Sequence, residues 1–180
     1  GLMAKIITVG AAIQDVFLSQ SDALTPVCES PEHCFARLDL GAKADVNQIH
    51  FSTGGGATNA AVTFSRQGHY ASFMGAIGHD PAGQAVIADL DKENIDTHLV
   101  RYSPKYSTGY SVLLLASNGE RTILTYRGAS THYHEADFDL SEEDADWLYV
   151  STLAGNMPML HKLFQQAKRR DMKICFNPGK

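Results

Sequence analysis

Ser52-Thr53-Gly54-Gly55-Gly56-Ala57-Thr58-Asn59 is the stretch on which the reading of the whole chain turns. Three consecutive glycines permit positive φ and let a ligand approach the backbone with no Cβ in the way. An extended run, Val46 to Phe51, leads into them, and an apolar helical pattern of Ala60, Ala61, Val62 and Phe64 follows. The glycines therefore stand where a strand hands over to a helix, with free N–H groups and the positive end of the helix dipole facing whatever binds. Asn59, on the first turn, can direct its amide to the same spot. A flexible turn ahead of a capped helix would use the same letters, so the flanking sequence has to discriminate.

The bulk composition narrows the classes. With 180 residues, 44% hydrophobic and 19% charged, the chain can bury one substantial core. A net charge of −5 with scattered basic residues argues against a nucleic-acid groove. No apolar run approaches the roughly 18 residues of a membrane span, and the N-terminus is too short in apolar length for a secretory signal. Gly1 and Leu2, ahead of Met3, read as a cloning remnant. Cys28, Cys34 and Cys175 are odd in number and lack Cys-x-x-Cys spacing. Neither a disulfide framework nor a zinc site is expected, and the reading is a reduced, cytoplasmic protein.

Outward from the glycines, Lys5 to Val9 reads as a buried strand ending at Gly10, with Asp15 five residues further on. Residues 16 to 45 carry Pro26 and Pro31 and read as loop and edge strand, with Leu38–Leu40 and Val46–Phe51 as two strands of an exposed sheet. A helix from about Thr58 should end near Gly68. Ala71–Met74 predicts a second core strand, and Asp80-Pro81 an N-cap followed by the first helical residue. Ala82, Val86, Ile87 and Leu90 share a face, which carries that helix to about Glu93. Asn118-Gly119 between Tyr110–Leu115 and Arg121–Tyr126 is a hairpin signal. Trp147–Val150, a helix opened by Met157-Pro158, and Lys173–Phe176 complete an alternation of strands and helices. That alternation predicts an open α/β sheet with short antiparallel pieces attached.

Several spacings converge on one family. Gly10…Asp15, Gly54-Gly55-Gly56-Ala57-Thr58-Asn59, Gly75-x-x-Gly78-x-Asp80-x-x-Gly83, Thr108-Gly109 and Arg127-Gly128-Ala129-Ser130 together resemble the ribokinase-like carbohydrate kinases of the pfkB family, from Ile6 to Gly179. The resemblance implies an open, mostly parallel sheet flanked by helices, with a small β-sheet lid from segments near 16–51 and 106–127. It implies that Asp15 holds sugar hydroxyls and that Gly55, Gly56 and Asn59 line the same pocket, with Tyr110 closing over the sugar from the lid. A carboxylate can accept two hydroxyl hydrogen bonds at once with charge assistance, which suits that role. Gly75, Gly78 and Gly83 read as turn and close-packing residues, and Asp80 as a cap. Tyr126 and Arg127 read as a solvated strand end. His132 and His134 lack further ligands at suitable spacing and read as a polar surface loop, so no metal site is assigned to this chain.

The resemblance also implies what is missing. The family's Asn-x-x-Glu motif, tied to Mg²⁺ and phosphate, and its Gly-Ala-Gly-Asp segment, which carries the anion hole and the catalytic base, do not occur in these residues. The chain therefore reads as the N-terminal portion of a longer kinase, with no catalytic residue of its own. ATP, Mg²⁺ and a monovalent cation would be bound mostly by a part beyond Lys180. The implied function is ATP-dependent phosphorylation of a hydroxyl on a sugar or related small molecule, with a homodimer through the lid sheet. Thr152-Leu153-Ala154, where ribokinases place a sugar-binding Glu, and Gly56, where they have Lys, weigh against ribose itself. A non-catalytic sugar-binding or regulatory member of the same fold is the first alternative. A nicotinamide-dependent oxidoreductase is the second, disfavoured because only Gly10-Ala11-Ala12 follows the first strand.

Overall fold

The computed structural model describes residues 2–179, so the readings placed on Gly1 and Lys180 lie outside the described residues. In chain order the elements are β1 (Lys5–Val9), β2 (Ile13–Ser19), β3 (Val27–Ser30), β4 (His33–Phe35), β5 (Gln48–Gly54), α1 (Gly56–Arg66) and β6 (Tyr70–Gly78). Then follow α2 (Pro81–Lys92), β7 (Val100–Ser103), β8 (Gly109–Leu115), β9 (Arg121–Tyr126), β10 (Trp147–Val150), α3 (Met157–Arg169) and β11 (Lys173–Phe176). They form two compact units. The first comprises residues up to Gln14, Thr53–Gly109 and the chain from Arg127 onward; the second comprises Asp15–Ser52 and Tyr110–Tyr126.

The first unit is built on a five-stranded sheet in the order β11-β10-β1-β6-β7, every neighbouring pair parallel. Parallel strands covered on both faces need continuous apolar runs, and Ile6, Ile7 and Val9 are all buried. On one face Ile7, Val9, Met74, Leu148 and Val150 pack with Met159, Leu163 and Ala167 of α3. On the other, Phe73 and Ile77 meet Ala57 and Ala61 of α1 and Val86 and Leu90 of α2. The chain winds from β1 outward through β6 to β7, then returns to the other side of β1 for β10 and β11. The order reverses between β1 and β10, and open α/β sheets form ligand crevices at the carboxyl ends of strands at such a point.

Most predicted elements are present, with differences at their ends. β6 runs on to Gly78, so Gly75 and Gly78 are strand residues and not turn residues. They serve close approach: a Cβ on Gly75 would fall 2.6 Å from Gly10 O, and one on Gly78 would fall 2.7 Å from Tyr106 O. α1 begins at Gly56, two residues ahead of the expected Thr58, and ends before Gly68, whose φ of 93° suits a residue just past a helix. Asp80 caps α2 by accepting from Gly83 N at 2.8 Å, and its carboxylate also accepts from Thr108 N at 2.9 Å and Thr108 Oγ1 at 2.7 Å. Burial opposes its ionisation, but those hydrogen bonds outweigh it and hold the carboxyl below its ordinary value. Asn156, whose side chain accepts from Met159 N, caps α3.

The second unit holds a four-stranded sheet in the order β5-β2-β8-β9 and a separate β3–β4 pair. β8 and β9 are the antiparallel hairpin that Asn118-Gly119 predicts, with Tyr110 opposite Tyr126 and Gly119 at φ 88°. Three expectations are corrected. Leu38–Leu40 forms no strand, because both leucines stand exposed in an irregular segment with nothing to pair against. The strand after Asp15 is no edge, since β2 continues to Ser19 and lies between β5 and β8. The cysteines are not all unpaired: Cys28 and Cys34 form a disulfide, their Cα atoms 4.0 Å apart. The antiparallel β3–β4 register sets these two residues opposite each other, a proximity that cysteine spacing alone does not reveal. Cys175 is free and exposed. Among the described residues no helix is long and apolar enough to cross a membrane.

At the amino ends of β6 and β10, His98 links two carboxylates. Its Nδ1 meets Asp96 Oδ1, its Nε2 lies 3.0 Å from Glu143 Oε1, and Asp96 Oδ2 also accepts from Tyr70 OH at 3.0 Å. Burial disfavours the imidazolium, but the bonds and charges of Asp96 and Glu143 prevail and hold the pKa above 6.5. A pKa raised on folding stabilises most below the unfolded value and fades as pH rises through the folded one. His98→Gln should therefore lower stability by about 0.5 kcal/mol at pH 6, the half-exposed pair being screened by water. The difference should shrink toward pH 9. Urea unfolding of both proteins across that range checks it, and a constant gap would refute the ion-pair account.

Candidate substrate-binding site

The turn from β5 into α1 is shaped by its glycines. Gly55 has φ 113°, and a Cβ there would fall 2.2 Å from Ala11 O. Only glycine meets both conditions. Gly56, the first residue of α1, faces Ser151: a Cβ on it would lie 2.8 Å from Ser151 Oγ. Gly10, just past β1, is pressed from two sides, with Ala57 Cβ and Ser151 Cβ each 2.9 Å from where its own Cβ would stand. The start of α1 is thus packed down onto the carboxyl ends of β1 and β10, at the reversal of strand order.

Thr58 pins this arrangement. Its buried hydroxyl donates to Gly54 O at 2.8 Å and contacts Gly55 O at 3.0 Å. The first intrahelical bond runs from Asn59 N to Gly55 O at 3.0 Å, which leaves the N–H groups of Gly56, Ala57 and Thr58 without intrahelical acceptors. Asn59 is exposed, and its side-chain amide makes no hydrogen bond to the described residues. The cap residue is Gly55, so Asn59 does not spend its amide on the helix terminus. Backbone donors at the positive end of a helix beside an uncommitted amide can hold an electronegative oxygen, whether hydroxyl or anion.

Asp15 and Tyr110 belong to the second unit. Asp15 lies on β2 and Tyr110 on β8, neighbours in the four-stranded sheet, and both are half-buried. Burial raises the Asp15 carboxyl above its ordinary pKa. Of the residues predicted for the site, Gly55, Gly56 and Asn59 therefore come together in one unit, and Asp15 and Tyr110 sit on adjacent strands of the other. Sequence reasoning missed the supporting roles of Gly10, Thr58 and Ser151. A glycine straight after the first strand was a usable sign for Gly10; Ser151 carried none.

Residues 5–179 match the family described as pfkB family carbohydrate kinase. The chain belongs to this family. Among curated relatives, a fructokinase of Vibrio alginolyticus is 29% identical over 131 residues, covering 70% of this chain and 43% of the relative. A ribokinase of Haemophilus influenzae is 25% identical over 131 residues, covering 70% and 42%. The ribokinase of Cryptococcus neoformans var. grubii in complex with ADP shares the fold at a TM-score of 0.69 and 22% identity, covering 98% of this chain and 50% of that one. This pfkB chain thus spans about half the length of the proteins it matches. The mixed α/β architecture with a parallel central sheet and small separate sheets agrees with the ribokinase-like fold that the family resemblance implies.

Proposed function

We propose that this chain supplies the sugar-binding half and the lid of an ATP-dependent kinase that phosphorylates a hydroxyl of a sugar or related small molecule. Membership of a family of carbohydrate kinases supports the reaction class. The observation that carries the site is the uncommitted Asn59 amide beside the φ 113° glycine, at the reversal of strand order. In this reading Gly55, Gly56 and Asn59 hold hydroxyl oxygens, and the Asp15 carboxylate accepts two hydroxyl hydrogens with charge assistance. Tyr110 covers the sugar from its sheet. Relatives acting on fructose and on ribose by name leave the sugar open.

ATP supplies the phosphoryl group, and the ADP complex of the Cryptococcus ribokinase supports nucleotide use. In this reading Mg²⁺ enters with the nucleotide, held by its phosphates and one or two carboxylates; among the described residues, no group of three or more His, Cys, Asp or Glu side chains forms a site for it. No step is therefore routed through a metal by this chain. Its own part is to bind and orient the acceptor hydroxyl, while the base and the anion hole that phosphoryl transfer requires come from elsewhere. The exposed Ile49, Phe51, Ile123, Leu124 and Tyr126, on the outer strands β5 and β9, fit pairing of two lid sheets in a homodimer.

Calorimetric titration of the 180-residue protein with fructose, ribose and sugar acids tests the reading, together with an ADP-release assay and light scattering. One sugar should bind saturably without ADP release, and the mass should be that of a dimer. Robust sugar-dependent ADP release would place the catalytic centre within this chain and overturn the division of labour. Absence of saturable binding to any sugar would remove the site assignment.

A further inference from the structure

Beside β7, in the first unit, lies a cavity of about 490 Å³ bordered by Ala76, Arg101, Lys105, Tyr106, His132 and His134. Its size falls within the range of small-molecule sites. None of these residues takes part in the site built on Gly55 and Asn59. The charge around the cavity opposes that of the chain. The protein carries −5 overall, yet two permanent cations and two histidines gather here against a single carboxylate, Asp137. That carboxylate is already engaged, accepting from His134 N at 2.9 Å.

The cations are positioned but not neutralised. Arg101 Nη1 donates to His98 O at 3.1 Å and Val100 O at 3.3 Å. This orients the guanidinium and leaves donors over, since it carries five N–H groups. Lys105 Nζ stands 5.5 Å from the Tyr106 ring centroid and has no carboxylate partner among the described residues. The Tyr106 and His132 rings lie stacked, centroids 3.9 Å apart and planes 18° from parallel. His132 Nδ1 lies 2.8 Å from Gly128 O. A carbonyl only accepts, so Nδ1 carries the hydrogen, and this bond together with the stack fixes the aromatic wall.

We propose that this cavity binds a small aromatic anion, with its charge on Arg101 and Lys105 and its ring against the Tyr106–His132 pair. Fixed aromatic surface and unneutralised donors within one concavity favour a ligand that carries both features over either alone.

The test is calorimetric titration of the 180-residue protein with phenyl phosphate, inorganic phosphate and phenol. Phenyl phosphate should bind one to one and at least about tenfold more tightly than either half-ligand, the worth of one good added contact. Tyr106→Ala should remove that advantage over inorganic phosphate. Arg101→Ala should weaken phenyl phosphate about tenfold, but it also removes two contacts to backbone carbonyls. Lys105→Glu, at an exposed position, therefore serves as the second variant and should weaken binding at least as much with an unchanged unfolding curve. Equal affinity for phenyl phosphate and inorganic phosphate, no saturable binding, or an indifferent Lys105→Glu would each overturn the proposal.

Discussion

Replacing Gly55 by alanine should cost about 2–6 kcal/mol of stability. Two independent penalties combine. A non-glycine residue held at a φ of 113° is strained by about 1–3 kcal/mol. The new methyl would also sit 2.2 Å from Ala11 O, a backbone atom that cannot move without shifting the end of β1, and such overpacking costs about 1–3 kcal/mol more. Against a typical total of about 5–15 kcal/mol, the variant should unfold at much lower urea or fail to accumulate. Gly56→Ala is the contrast. There the nearest atom is Ser151 Oγ at 2.8 Å, the tip of a side chain that a rotamer change moves away. Its cost should stay at or below about 1 kcal/mol, and Ser151→Ala in the same chain should relieve it. Urea midpoints of the four proteins decide the matter. A Gly55→Ala protein as stable as wild type would mean that the turn has another conformation.

Asp15→Ala, made in a full-length protein carrying this chain, should raise KM for the sugar about ten- to a hundredfold. Losing the hydrogen bonds of a charged acceptor costs about 1.5–3 kcal/mol, and each 1.4 kcal/mol is a factor of ten. In the proposed site those bonds would hold hydroxyls in the ground state and the transition state alike, so kcat should fall far less than kcat/KM. Asp15→Asn keeps one acceptor oxygen and should fall between the two. The pH dependence has a definite sign. Burial raises the Asp15 carboxyl, so the charged acceptor is lost earlier on acidification than for an ordinary aspartate. Sugar affinity of the wild type should weaken as pH falls toward that raised value, and the alanine variant should show no such slope. Steady-state kinetics across pH reads both effects, and an unchanged KM would remove Asp15 from the sugar site.

How far such expectations could be drawn from the letters alone depends on where the governing contacts lie. Capping and periodicity are local, and they correctly placed Asp80 at the start of α2 and Val86 and Leu90 on its inward face. The Asn118-Gly119 hairpin is local too. For Gly75 and Gly78 the close-packing expectation holds and the turn expectation does not, because what demands glycine there is not the local backbone but Gly10 O and Tyr106 O arriving from distant segments. The Cys28–Cys34 pair was missed for the same reason, since the β3–β4 register brings it together. In the candidate site, Gly55, Gly56 and Asn59 announced themselves through the glycine run. Thr58 was part of that run, but its inward hydroxyl looks no different in sequence from an exposed one. Ser151 matters only because the parallel pairing of β1 with β10 carries it next to Gly10.

That pairing has a consequence for how the chain is made. β1 sits between β6 and β10, and the contact of Lys5 with Asp146 beside it spans 141 residues. A ribosome produces the N-terminal part first, so β1 emerges before either neighbour and is among the last strands to gain both. β6 can cover one edge early, but the other stays open until Trp147–Val150 has been synthesised. During that interval an apolar Ile-Ile-Thr-Val run presents unpaired backbone, a surface prone to join the wrong partner. Long-range parallel pairing is also slow to close. Nascent chains halted before residue 147 should therefore be the species that holdase chaperones engage most strongly.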